Sequence, residues 1–188
     1  MATVFISGSI KVKSLDEKVI DRLGNIVASG HRVVVGDAGG VDKAAQQYFK
    51  DRGVQSVTVY CTGDSPRNND GQWPVVNVEP PIATRSRAFF TAKDLRMAED
   101  SDFGLMVWDS KSTGTLSNVI ELLKKGKKSV VYITAKRAFL NVGTKQDLEM
   151  LVAHMSPADL DAADKKISLR SKIINLQDCS QPSQVTLF

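Results

Sequence analysis

The sequence predicts a doubly wound α/β fold with a mainly parallel sheet, C-terminal helices and a flexible tail. Three observations predict it. Apolar runs without alternation, Arg32 to Gly36 and Phe103 to Trp108 among them, have strand length and suit strands covered on both faces. Segments with apolar residues at helical spacing fall between these runs, as crossover helices between parallel strands do. Turns rich in Gly, Ser and Thr join strand to helix at three of the junctions.

In chain order, Thr3 to Ser7 is a first strand ending in Gly8-Ser9. Ser14-Leu15-Asp16-Glu17 has capping-box spacing and starts a helix with Leu15, Val19, Leu23, Ile26 and Val27 on one stripe, closed by Gly30. The strand Arg32 to Gly36 leads through Gly36-Asp37-Ala38-Gly39-Gly40-Val41-Asp42 into a helix running to about Arg52. Ser56 to Cys61 is a third strand, and Thr62 to Asn77 is a long polar connection. Thr84 to Asp100 is expected as a helix with Ala88, Ala92 and Leu95 as apolar positions, opening on Arg85 and Arg87. The unit from Asp94 to Ile133 organises the rest: strand Phe103 to Trp108, the turn Asp109 to Thr115, a helix carrying Leu116, Val119, Ile120 and Leu123 up to Gly126, and the strand Ser129 to Ile133. A loop with Phe139 and Leu140 and helices over Lys145 to His154 and Pro157 to Ile174 complete the folded part. The expected division is a core over 1–135, a helical extension over 136–176 and a tail over 177–188.

At 188 residues and 42% hydrophobic, one core with an appendage is the default. The apolar runs are far below membrane-spanning length, and the chain opens into a strand rather than a signal peptide, so a cytoplasmic protein is expected. Cys61, Cys179, His31 and His154 are isolated in sequence, which implies no disulfide framework; neither a metal nor a cofactor is expected. The net charge of +4 comes from an excess of basic residues between Lys124 and Lys172, which permits contact with nucleic acid and equally suits a solvated helical face.

The chemistry is expected at the turns. Ser112, Thr113, Gly114 and Thr115 put N–H groups and hydroxyls at a helix N-terminus, where an anion is favoured, although Ser and Thr there also serve as ordinary caps. Gly39-Gly40 points to unusual torsions or close approach to a ligand. Neither GxGxxG nor GxxxxGK[ST] is present, which disfavours an ordinary dinucleotide site and a Walker P-loop. For Asp42 two readings stand, a helix cap or a partner for ribose hydroxyls. Trp73 either stacks on a base or anchors its loop. In a doubly wound fold the turns at Gly8-Ser9, Gly36 to Asp42 and Ser110 to Thr115 meet on one sheet edge, which strengthens the phosphate reading.

These motifs resemble the SLOG superfamily of Rossmann-like nucleotide-binding domains, which includes LOG-type phosphoribohydrolases and DprA-like DNA-processing proteins; deoxyribosyltransferase-like hydrolases look related. The resemblance rests on Ile6-Ser7-Gly8-Ser9-Ile10, Gly36 to Asp42, Lys93-Asp94-Leu95 with Asp102, and Gly114-Thr115, covering about residues 4–133. It implies a nucleoside phosphate or NAD-derived nucleotide held by Gly8, Ser9, Gly39, Gly40, Arg87, Ser112 to Thr115 and Asn118, with Asp37, Asp42 or Asp94 on sugar hydroxyls. Where the related hydrolases carry a glutamate this chain has Asn118, which has no charge for nucleophilic or oxocarbenium work. An N-glycoside hydrolase is therefore the rival, with Asp94 or Glu121 as its carboxylate. A DprA-like DNA-binding protein using the basic last third is the other.

The last five residues, Gln184-Val185-Thr186-Leu187-Phe188, are similar to the Gln-x-x-Leu-Phe peptide that docks on the bacterial β sliding clamp. Gln184 offers an amide and Leu187 and Phe188 an apolar anchor at the end of a polar tail. The other reading folds these residues back onto their own domain.

Overall fold

The structure is a computed structural model and describes residues 1–81 and 86–176. Seven strands form one sheet: β1 (Thr3–Gly8), β2 (Arg32–Gly36), β3 (Val57–Thr62), β4 (Val75–Val78), β5 (Phe103–Trp108), β6 (Lys128–Ile133) and β7 (Ala138–Val142). Their order is β4-β3-β2-β1-β5-β6-β7, parallel throughout except for β7, which runs antiparallel to β6. The helices are α1 (Glu17–Ala28), α2 (Val41–Asp51), α3 (Arg87–Asp100), α4 (Thr113–Lys124), α5 (Lys145–Val152), α6 (Pro157–Ile167) and α7 (Leu169–Ile174).

Side chains of a strand alternate between the two sheet faces, and here both faces are covered. Val4 and Ile6 of β1 face α1 and α2 with Val33, Val35, Leu105 and Val107. Phe5 faces the other layer with Val34, Met106 and Val131, against Met97 of α3, Leu116 and Ile120 of α4, and Leu148, Ala163 and Leu169 of the last three helices. Two-sided burial is why the strands read as unbroken apolar runs.

Where the elements differ from the sequence reading, the reason is local. The expected polar connection contains β4, whose residues are only partly buried or exposed and so carry little apolar signal. The loop around Phe139 and Leu140 is β7, an edge strand with one buried residue, Val142. The helix α1 starts from Asp16, not Ser14, with the Asp16 side chain accepting from the Lys18 N–H at 3.1 Å. The expected stripe of α3 holds at Ala92, which is buried, but not at Ala88 or Leu95, the latter 47% exposed, whereas Lys93 is 4% exposed and Met97 and Ala98 are buried. The helix expected over Pro157 to Ile174 is broken at Ser168, which sits in the left-handed region at φ 52°.

The chain order reverses beside β1: β2, β3 and β4 add on one side, then α3 returns over the sheet and β5 pairs with β1 on the other. Ligands of such sheets bind outside the carboxyl ends of the strands at this reversal. Gly8 permits the close approach there, since a Cβ on it would run into the Val107 carbonyl and the Val41 side chain. Ser9 ties the two strands' ends together, its N–H donating to Val107 at 2.9 Å and its hydroxyl accepting from the Asp109 N–H at 3.1 Å.

Candidate functional site

On the β2 side of the reversal the turn into α2 carries two buried aspartates. Gly36 has no Cβ because the Asp42 carboxylate and the Lys93 ammonium occupy the space one would fill. Asp37, 2% exposed, accepts from Arg67 three times: from its backbone N–H at 3.0 Å, Nε at 2.9 Å and Nη2 at 2.7 Å. Asn68 Nδ2 donates to the Asp37 carbonyl at 2.7 Å, and Gln46 Nε2 donates to the Gly36 carbonyl at 2.9 Å. The long connection after β3 is thereby fixed to the turn after β2. Trp73 anchors the far end of that connection, with Nε1 donating to the Val54 carbonyl at 2.7 Å. The anchoring reading of Trp73 is the one its contacts fit.

Lys93 of α3 closes the cluster from above the sheet. Its Nζ lies 2.8 Å from Asp94 and 3.9 Å from both Asp37 and Asp42. Burial disfavours its charge, but the carboxylates of Asp94, Asp42 and Asp37 outweigh this and hold its pKa above the ordinary lysine value. Burial likewise works against an ionised Asp37; the hydrogen bonds from Arg67 and the charge of Lys93 prevail and keep its pKa low. For Asp42 burial wins, and its carboxyl is pushed up to about 6 despite Lys93. Asp42 does not cap α2: the N-cap is Gly40, at φ 70° beneath Ile10, and Asp42 lies in the first turn with its carboxylate accepting from the Ala38 N–H at 3.4 Å.

On the β5 side, the Asp109 carboxylate folds back onto its own turn, accepting from the N–H of Lys111 at 3.0 Å and of Ser112 at 2.7 Å. Ser112 is the N-cap of α4 and accepts from the Thr115 N–H at 3.4 Å and the Thr115 hydroxyl at 3.1 Å. The capping reading therefore holds for the Ser112 hydroxyl, while the N–H groups of Thr113 and Gly114, which have no intrahelical acceptor, lie at the sheet edge.

Between these halves lies a cleft of about 760 Å³, walled by Lys93, Asp94, Phe90 and Arg67 on one side and by Lys111, Ser112, Thr113 and Gly114 on the other. Ile10 and Lys11 stand at its mouth, and Asp159, Ala163 and Lys166 of α6 close it from the C-terminal segment. A smaller cavity of about 330 Å³ shares Arg67, Phe90 and Lys93 with the cleft and adds Asp37, Thr62, Ser65 and Phe89. Both volumes fall in the range of small-ligand sites.

The residues singled out in the sequence divide accordingly. Asp94, Ser112, Thr113 and Gly114 line the cleft, and Asp37 lines the smaller cavity. Gly8, Ser9, Gly39, Gly40, Asp42 and Thr115 build the turns behind these walls. Asn118 is buried beneath β1, with Nδ2 donating to Ser7 Oγ at 3.1 Å, and lines neither cavity. Glu121 is turned to Lys124 at 2.8 Å, also outside both cavities. Arg87 is the first residue of α3. Arg85 and the clamp-like Gln184, Leu187 and Phe188 lie outside the described residues. Sequence reasoning passed over Arg67, Phe90 and Lys11, and took in Lys166 only within the basic stretch Lys124 to Lys172.

No family model matches the chain, and no curated protein matches it. Among solved structures, DNA processing protein A from Helicobacter pylori is similar, with a TM-score of 0.57 over 89% of this chain and 80% of that one, at 18% identity. The two share a fold. That structure concerns the single-stranded DNA binding mode of the Helicobacter pylori protein. Among the described residues there is no group of three or more His, Cys, Asp or Glu side chains placed to hold a metal ion. No helix among them is long and apolar enough to cross a membrane.

Proposed function

We propose that the cleft binds single-stranded DNA, taking one nucleotide unit at the sheet edge with its phosphate against the first turn of α4. The observation that carries this reading is the charge of the cleft lining. Lys11, Arg67, Lys93, Lys111 and Lys166 outnumber Asp94, Asp109 and Asp159 along it; Arg67 and Lys93 are paired with the buried aspartates and Lys111 lies 3.5 Å from Asp159, so Lys11, Lys111 and Lys166 form the basic rim a strand meets first. A phosphate backbone is attracted by such a lining without regard to sequence. The likeness of fold to a protein that binds single-stranded DNA supports the same reading.

A free nucleoside phosphate or NAD-derived nucleotide is the second reading, favoured by one observation: Asp94, held by Lys93 at 2.8 Å, lines the cleft with a carboxylate that can accept from sugar hydroxyls. The N-glycoside hydrolase would also have to use Asp94, since Glu121 lies outside the cavities and Asn118 is buried beneath β1. The segment 136–176 acts in this scheme as the wall of the cleft through α6. A clamp-docking tail over 177–188 would bring the binding module to replicating or repaired DNA, which a peptide spanning Ser180 to Phe188 tests by binding to purified clamp.

The deciding experiment is fluorescence anisotropy of a labelled single-stranded oligonucleotide over a series of salt concentrations, beside thermal shift with nucleoside monophosphates. Strand binding that weakens steeply with salt is expected, and a Lys111→Ala, Lys166→Ala variant is expected to weaken it and flatten the salt slope by roughly one unit for each phosphate left without its lysine. Stabilisation by a mononucleotide with no strand binding would instead select the free nucleotide. No binding of either kind would remove the proposal.

A further inference from the structure

The smaller cavity has a chemistry of its own. Its one carboxylate, Asp37, is paired with both of its cations, Arg67 and Lys93, so its charged groups are already engaged with one another. Its walls are instead aromatic and hydroxylic. Phe89 and Phe90 meet edge to face, with centroids 5.2 Å apart and planes at 74°, and Thr62 and Ser65 stand with them. Phe90 is 37% exposed although it belongs to a helix whose other face is buried, and the Arg67 guanidinium lies over its ring at 5.3 Å from the centroid. The guanidinium is held by a buried carboxylate beside a partly exposed ring, and packing alone does not require an aromatic there. Phe90, Arg67 and Lys93 belong to both cavities, so a ligand can lie across them.

We propose that the smaller cavity is a nucleobase subsite: a base enters it against Phe90 and Arg67 while the phosphate attached to the same nucleotide stays in the larger cleft. This rests on the reading of the cleft as a nucleotide-binding site and adds what recognises the base. Stacking is indifferent to which base is present, because every base has a π-face. The hydroxyls of Thr62 and Ser65 both donate and accept, so they discriminate weakly between bases. The subsite therefore selects for an unpaired base rather than for a sequence. A base in a duplex is stacked on its neighbours and does not reach it.

The test compares two labelled single strands of equal length, one bearing bases and one fully abasic, on wild type, Phe90→Ala and Phe90→Trp. The wild type is expected to prefer the base-bearing strand. Phe90→Ala is expected to weaken that strand by about 5- to 150-fold, the worth of one stacked base, to weaken the abasic strand by less, and to leave the salt slope unchanged. Phe90→Trp restores the preference. Equal weakening of both strands by Phe90→Ala, or an affinity for the base-bearing strand within about twofold of wild type, overturns the subsite. A wild type that binds both strands equally overturns the subsite and leaves the cleft reading standing; one that binds neither strand, with no response to mononucleotides, overturns both. Competition by a nucleoside monophosphate but not by the corresponding sugar phosphate sustains the subsite and identifies a free nucleotide as its occupant.

Discussion

Replacing Lys93 with methionine keeps the length of the side chain and removes the buried cation that lies within 3.9 Å of Asp37, Asp42 and Asp94. The three carboxylates do not suffer equally. Asp37 keeps its paired bonds to Arg67, and Asp94, whose side chain is 18% exposed, regains water. Asp42, 3% exposed, keeps only the long bond from the Ala38 N–H. Breaking a buried pair by removing one partner typically costs about 3–5 kcal/mol, and with a single carboxylate left stranded the low end applies, about 3 kcal/mol. In a domain of this size that is a fall in Tm of roughly 6–12 °C.

The pH dependence separates this account from a simple packing defect. Asp42 has a folded pKa raised to about 6 from 3.8, so the stability linked to its proton is complete below 3.8 and is lost as pH rises to about 6. In the Lys93→Met variant the attraction that held Asp42 down is gone, its pKa rises further, and the loss continues above 6. The difference between the two proteins is therefore expected to be larger at pH 7.5 than at pH 5, where Asp42 is protonated in both. Urea denaturation followed by tryptophan fluorescence reads it directly, since Trp73 and Trp108 are both buried. A difference below about 1 kcal/mol at pH 7.5, or one equal at the two pH values, refutes the reasoning.

Asp42→Asn, a near-isosteric change, is expected to remove that titration: wild-type stability in urea falls by up to about 3 kcal/mol between pH 4 and pH 7 through this group, and the variant's profile over the same range is flatter. The low pKa of Asp37 acts in a different window, below 3.8, where stability is lost as pH falls. Gly8→Ala is expected to lower stability by about 1–3 kcal/mol in the same assay, because the new methyl meets the Val107 carbonyl and the Val41 side chain, and Val107 cannot retreat without parting β1 from β5 nor Val41 without lifting α2 from β1. An unchanged urea midpoint would contradict the close approach seen there.

Two-sided burial made β2 and β5 readable from their apolar runs alone, and glycine with serine or threonine marked the turns at the sheet edge. Burial also explains the strands that were missed. Val75–Val78 and Ala138–Val142 lie at the two edges, where a strand needs few apolar residues and the polar ones resemble a loop. The site was less legible because its members are joined by tertiary folding. Arg67 reaches Asp37 only after β3 has paired beside β2 and the connection has folded back over Gly36 and Gln46. Nothing in the spacing of those two residues announces a bidentate pair. The error in α3 has the opposite cause, since Lys93 occupies a position on the buried face that an apolar pattern would fill, and Leu95 and Phe90 are exposed in return. A local rule broken in this way marks a site where chemistry outranks packing.

Lys93 also bears on how a cleft edged with aspartates can receive an anion. A phosphate arriving at the α4 turn faces Asp94 and, behind it, Asp37 and Asp42. Their repulsion in a region poor in water would exceed what the basic rim supplies at a distance. With Lys93 inside the group and Arg67 clamped on Asp37, two fixed cations offset three carboxylates, and Asp42 already sits at the edge of protonation. Of the three, Asp94 is the one at the cleft wall. Toward α4 the cleft presents the Thr113 and Gly114 N–H groups with Lys111, which lies 3.5 Å from Asp159, and toward α3 it presents Asp94 beside Lys93 and Arg67.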